Sequence, residues 1–233
     1  LNTHNFTVLR SCGVWINLPA YAHFFVLARG QIAANGNCGD NSALSKIPVA
    51  LQVSGSNSKF SMSSYLVRPA TVRDAKAIAQ IHVTAAQAAY KDLLPEDQIN
   101  PPSVEKRQAH WREAIEYSEP QVQVVTKNDE IVGFVGFDRS RDKGTPSTMG
   151  EIWSLYVLPA ECGQGAGVAL WDAANDGLKE EGCNNVSVWV PVRNERAMSF
   201  FEHAGFKREM TSLKTVPVGI ARLEEIRLKR ALG

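Results

Sequence analysis

The sequence predicts an α+β fold: one domain holding a mixed, mostly antiparallel twisted sheet of about seven strands with four helices. Three observations carry this. From Tyr65 onward, strand-like and helix-like hydrophobic patterns follow one another in the order βααβββαβαββ. Two apolar runs, 121–127 and 130–137, are separated only by Asn128-Asp129, a turn pair that makes them hairpin neighbours. The stretch IWSLYVLPAECGQGAGVAL, residues 152–170, reads as strand, glycine-rich turn and helix.

Taken in order, residues 65–70 alternate polar and apolar as a first strand. Thr71 is placed to cap a helix, with Asp74 three residues on in a near capping box. Ala75, Ile78, Ala79, Ile81, Ala85 and Ala86 then form an apolar stripe, and His82 beside it reads as a packing residue. Residues 90–95 break that helix, and Pro101-Pro102-Ser103 announces a second, with Val104, Trp111, Ala114 and Ile115 on its apolar side. After the hairpin, residues 139–149 are rich in charge, Gly and Pro and read as a mobile connection. Residues 186–190 alternate as a fifth strand, and Asn194 caps a short helix that Gly205-Phe206 closes. The last two strands fall near 207–213 and 221–229.

The chemistry is concentrated in the 152–170 stretch. Pro159 ends its strand because it has no N–H for a ladder. Gly163, Gly165 and Gly167 follow at alternate positions, ahead of a helical pattern that stops at Gly182. Such glycines let backbone N–H groups approach an anion, and the helix N-terminus adds partial positive charge. A P-loop needs Lys and Ser/Thr after its last glycine, where this chain has Val168 and Ala169. A dinucleotide fingerprint needs different glycine spacing early in a βαβ unit. The stretch is a phosphate cradle of another kind.

These residues resemble the GNAT acetyltransferase superfamily, whose coenzyme loop reads Arg/Gln-x-x-Gly-x-Gly/Ala after a strand ending V-x-P. The loop here is Cys162-Gly163-Gln164-Gly165-Ala166-Gly167, with Cys162 at the usual Arg/Gln position. Residues 194–206 are similar to the second GNAT motif, N-x-x-A-x-x-x-Y-x-x-x-G-F, at Asn194, Ala197, Gly205 and Phe206. Phe201 stands where the family commonly has the tyrosine that protonates the departing thiolate. The opening V-R-P-A-T-x-x-D-A-x-x-I also resembles the start of many small GNAT enzymes, so the likeness covers about residues 65–230.

The resemblance implies acetyl-CoA as co-substrate and direct attack by a primary amine of a small molecule, amino acid or peptide. It places the pantetheine arm along Leu155, Tyr156 and Val157, the pyrophosphate on residues 162–167, and Asn194 and Phe201 across the gap. Glu151 takes the place of the family's general base, with Tyr156 as a substitute proton donor for the missing tyrosine. Gln87, Tyr90 and Trp111, around the loop between the first two helices, are the acceptor contacts it suggests, each with packing as the alternative. Cys162 costs the loop one side-chain hydrogen bond to a charged group, about 1.5–3 kcal/mol. A second reading, favoured by Phe201 and Cys162, is a silent GNAT-fold protein that binds an acyl-CoA or a partner without chemistry. An antibiotic-modifying enzyme is a narrower form of the first, and the acids are spread too evenly to mark a pocket for a polycationic drug. A homodimer fits such folds.

Composition sets the bounds. A formal net charge of +1 over 233 residues gives no reason to expect nucleic acid or an anionic membrane as partner. No apolar run is long enough to span a bilayer. Cys12, Cys38, Cys162 and Cys183 show neither a C-x-x-C pair nor metal-ligand spacing with His, so no metal is expected and the thiols read as free, in the cytoplasm. Residues 1–61 differ from the rest, with four basic residues, one acid (Asp40) and little periodicity. They read as an extension outside the fold, disordered or translated from upstream of a natural start at Met62, with the patch 15–28 too polar for a strong secretion signal. The domain proper is expected at 62–233.

Overall fold

A computed structural model describes residues 65–91, 93–95, 103–218 and 221–233. The expectations about residues 1–61 and Met62 lie outside the described residues. Seven strands form one sheet in the order β1-β2-β3-β4-β5-β7-β6. They are β1 (Leu66–Pro69), β2 (Gln121–Lys127), β3 (Glu130–Arg139), β4 (Met149–Val157), β5 (Asn185–Pro191), β6 (Lys207–Val218) and β7 (Ala221–Ala231). Only β4 and β5 pair in parallel among the described strands. The helices are α1 (Ala75–Tyr90), α2 (Val104–Tyr117), α3 (Ala166–Glu180) and α4 (Glu195–His203). The mixed, mostly antiparallel α+β fold is the one the patterning predicts.

Alternation along the strands feeds two cores. Leu170 and Leu178 of α3 and Phe201 of α4 pack with Val135, Phe137, Ile152, Val188 and Leu228 of the sheet. Ile78 and Ala79 of α1 and Trp111 of α2 pack with Val124, Phe134 and Tyr156. Each fully buried large aliphatic contributes about 1.5–3 kcal/mol through removal of apolar surface from water. Close approach is set by two glycines. A Cβ at Gly177 would lie 2.6 Å from the Phe137 ring, and one at Gly150 would lie 2.7 Å from Leu178. Helix α3 therefore rests directly on the sheet.

Local chemistry explains the boundaries. Asn128 and Asp129 have φ of 51° and 66°, the two left-handed positions that a tight β2–β3 hairpin requires. The Asp74 carboxylate accepts from the Thr71 N–H at 2.7 Å and from the Arg68 guanidinium, closing the expected box on a short 3₁₀ turn that opens α1. The Arg68 hydrogen bond, foremost, holds the Asp74 pKa down at about 2. Strand β6 runs five residues beyond the expected 213, to Val218. Its register with β7 slips between Glu209 and Lys214, and Pro217 is tolerated because β6 is an edge strand.

Candidate active site

The sheet opens at one place. β4 and β5 pair only from Met149↔Asn185 to Ile152↔Val188. Beyond that, β4 stays with β3 and β5 stays with β7, so residues 153–157 carry no ladder on their β5 side. The cause is visible in the register: Gly136 pairs with Ser154 but Phe137 pairs with Ile152, so Trp153 is an extra residue in β4. A bulge bends its strand and re-aims the residues after it. The two parallel strands part into a V.

The β4–α3 loop lies beyond the V. Pro159 starts a 3₁₀ turn over Pro159–Glu161, and Gly163 and Gly165 adopt φ of 77° and 105°, which side chains with a Cβ resist. α3 begins at Ala166, two residues earlier than the apolar pattern suggests. The N–H groups of its first turn have no intrahelical partners, and the helix dipole adds positive potential there.

A cleft of about 1030 Å³ unites these features. Leu155, Tyr156 and Val157 form one wall, Cys162, Gly163, Gly165 and Gly167 the loop, and Asn194 and Phe201 the facing wall. Gln164 in the loop and Ala166 at the start of α3 do not line the cleft. Ala166 is fully buried, while the Gln164 amide donates to the Ala160 carbonyl at 2.7 Å. The Cys162 thiol lies 3.5 Å from the Leu158 carbonyl, so the loop's donors to a ligand are backbone groups. Asn194 caps α4, its Oδ1 accepting from the Ala197 N–H at 3.1 Å. Phe201 is 1% exposed and meets Phe200 and Phe206 edge-on, at 5.1 and 5.2 Å.

The remaining candidates separate. Glu151 is buried at the closed end of the V, where its carboxylate accepts from the Arg141 N–H at 3.0 Å and pairs with the Arg141 guanidinium. That guanidinium lies 3.8 Å over the Trp153 ring. The Tyr156 ring stacks on His82 at 4.5 Å and on Phe134 at 5.3 Å. Gln87 is exposed on α1, whose Ala85, Ala88 and Ala89 line the cleft. Tyr90 is buried, and its hydroxyl has no hydrogen-bond partner among the described residues. Trp111 is in the core, not on the cleft: it is 1% exposed, and its indole N–H donates to His82 Nδ1 at 3.0 Å. That bond places the proton of neutral His82 on Nε2. Burial above all, then the charges of Arg107 and His110, push the His82 pKa well below its ordinary value.

Three contributors escaped the sequence reading. Arg141 holds Glu151. Asp142 accepts from the Trp189 indole at 3.0 Å and from Arg227 at 2.7 Å, so the 139–149 connection is tied to β4, β5 and β7 rather than lying loose. Glu161, in the β4–α3 loop, pairs with Lys127 of β2. The partners of Asp142 and Glu161 are far apart in sequence, and only the charged pair in a Gly- and Pro-rich connection hints at any of this.

Comparison with known proteins decides the assignment. The Acetyltransferase (GNAT) family profile matches residues 85–206, more than half of the chain. The chain belongs to the GNAT acetyltransferase family. It is an acyltransferase, with acetyl-CoA as the co-substrate that GNAT membership carries. The uncharacterized N-acetyltransferase YuaI of Bacillus subtilis is 28% identical over 167 residues, covering 70% of this chain and 90% of YuaI. A mycothiol acetyltransferase of Beutenbergia cavernae is 44% identical over 57 residues, which span 24% of this chain and only 19% of that enzyme. Among solved structures, the putative acetyltransferase yncA from Salmonella typhimurium, determined with acetyl-CoA, superposes with a TM-score of 0.56 at 23% identity, over 72% of this chain and 94% of that one. The PaiA N-acetyltransferase of Thermoplasma acidophilum, in complex with coenzyme A, gives 0.56 at 15% identity over 72% and 99%. At these identities the two structures speak for the GNAT fold. Among the described residues no His/Cys/Asp/Glu group is placed to hold a metal ion, and no helix is long and apolar enough to cross a membrane.

Proposed function

We propose that this enzyme moves the acetyl group of acetyl-CoA to a primary amine of a small molecule, amino acid or peptide, by direct attack in a ternary complex. One observation carries the reading: the open β4 edge at 153–157 runs straight into a glycine loop on the N-terminus of α3. An extended amide-bearing arm pairs naturally with such an edge, and a diphosphate with such a loop. The amine nitrogen bonds to the acetyl carbon, the C–S bond breaks, and the electron pair leaves on sulfur. A backbone N–H among residues 155–157 is suited to the developing oxyanion.

Glu151 is assigned as the base. Four strand steps separate it from Leu155, about 13 Å, so the proton reaches it through water. Arg141 holds the carboxylate in place in this scheme. The thiolate leaves as an anion, helped by its moderate basicity (a free thiol has a pKa of about 8.5), with Tyr156 as proton source. Gln87 and Tyr90 border the acceptor side, whereas Trp111 contributes through packing. The co-substrate supports a cytoplasmic setting.

Calorimetric titration with acetyl-CoA, followed by an amine panel monitored for thiol release, tests this. Saturable one-to-one binding with amine-dependent thiol release is expected. Binding without release on any amine would favour the silent reading that Phe201 raises. No binding at millimolar acetyl-CoA would remove the transferase reading of this cleft.

A further inference from the structure

The loop that is to hold a diphosphate contains a carboxylate. Glu161 directly precedes Cys162, and an unneutralised acid there opposes any bound anion. The fold answers it from the β1–β2 edge of the sheet. Tyr65, just before β1, donates its hydroxyl to Glu161 Oε2 at 2.6 Å. Lys127, the last residue of β2, donates to both carboxylate oxygens, at 2.8 and 3.1 Å. Its ammonium also reaches Gln164 Oε1 at 3.3 Å, and Gln164 in turn bonds back to the Ala160 carbonyl. The Tyr65 ring carbons lie 3.8 Å from where a Cβ on Gly165 would stand. Side-chain exposures of 23% for Lys127 and 17% for Glu161 keep the pair partly out of water.

We infer that Lys127 and Tyr65 are positioning residues for the coenzyme loop, fixing Glu161 and cancelling its charge so that the backbone cradle can accept phosphate. The inference rests on the acetyl-CoA reading of the cleft and deepens it. Cys162 makes the device matter more. With no side-chain donor at that position, phosphate binding depends on where the backbone N–H groups stand and on the local potential. Two anchors, one just before β1 and one at the end of β2, 96 and 34 residues away in sequence, set the first. The Lys127–Glu161 pair sets the second.

The test is a charge-rescue experiment on the full chain. Affinities are measured for acetyl-CoA and for acetyl-pantetheine, which has the thioester arm without phosphates. Lys127→Met leaves the Glu161 charge uncompensated beside the glycine loop and should weaken acetyl-CoA about tenfold through Coulomb repulsion of its phosphates, while leaving acetyl-pantetheine unchanged. Lys127→Arg should retain wild-type affinity. The double variant Lys127→Met with Glu161→Gln should regain most of the loss, and a loss confined to acetyl-CoA, with acetyl-pantetheine unmoved, separates this charge effect from a purely structural one. If Lys127→Met does not fold, Lys127→Gln carries the same series. Unchanged acetyl-CoA affinity, equal weakening of both ligands, or a double variant no better than the single one would overturn the inference. Wild-type protein that fails to bind acetyl-CoA would instead overturn the reading of the cleft, and this inference with it.

Discussion

The two halves of the site are built from different materials. The half proposed for the coenzyme consists of backbone: an open strand edge, three glycines and a helix start, with side chains mostly out of the way. In the proposed reading the acceptor half rests on side chains held from other elements, with Glu151 on Arg141 and Asp142 on Trp189 and Arg227. A backbone site is robust to most substitutions and serves any ligand with the same arm. A side-chain site is specific and easily retuned, so one family can keep its coenzyme while changing its acceptor.

Four experiments sharpen the contrast, and the largest effect is expected at its border. Glu151→Gln should lower kcat by about 10²–10⁴ while leaving acetyl-CoA affinity intact, as steady-state rates and calorimetry together would show. A matched loss of coenzyme affinity would place Glu151 in the wrong half. Within the backbone half, Gly165→Val forces a branched side chain to φ of 105°, a strain of about 1–3 kcal/mol. Coenzyme affinity should fall by about ten- to a hundredfold, with acceptor KM unchanged. Asp142→Asn in the other half should do the reverse. Losing the charge-assisted bond to Arg227 frees the connection and should raise acceptor KM about tenfold, with coenzyme affinity unchanged.

The smallest effect concerns pH. His82 is buried neutral, so its folded pKa lies below the unfolded value of 6.5. The unfolded chain then binds more protons as pH falls below 6.5, and stability drops with acidification. His110 adds the same sign, lowered by burial and then by Arg107 to about 4. Melting curves should show a steady loss of stability from pH 6.5 toward 4, reduced in His82→Gln. A flat profile would mean that α1 and α2 do not bury these rings in solution.

Legibility in the sequence followed the same division. The glycine loop, the Asn194 cap and the hairpin turn were readable because local backbone geometry demands particular residues at fixed offsets. Trp111 shows the limit: an aromatic on an apolar helix stripe can face the core or a ligand, and only its bond to His82, 29 residues away, decides. The tethering of 139–149 was invisible for a related reason. Charge, Gly and Pro mark a connection, but Asp142 meets Arg227 across 85 residues. Length of β6 was misjudged where the register slips, since a bulge breaks the alternation by which strands are recognised.

The parting of β4 and β5 has a thermodynamic corollary. A sheet joined across its middle by only four residue pairs is, between β4 and β5, two smaller sheets on a short hinge. On the proposed reading, a coenzyme arm in the gap would supply the missing rungs and act as a structural member of the fold. Folding and binding are then linked, and ligand at a hundred times Kd adds about 2.7 kcal/mol to stability. For a domain of this size that is roughly 5–10 °C in Tm, so occupancy of the cleft can be followed by melting alone.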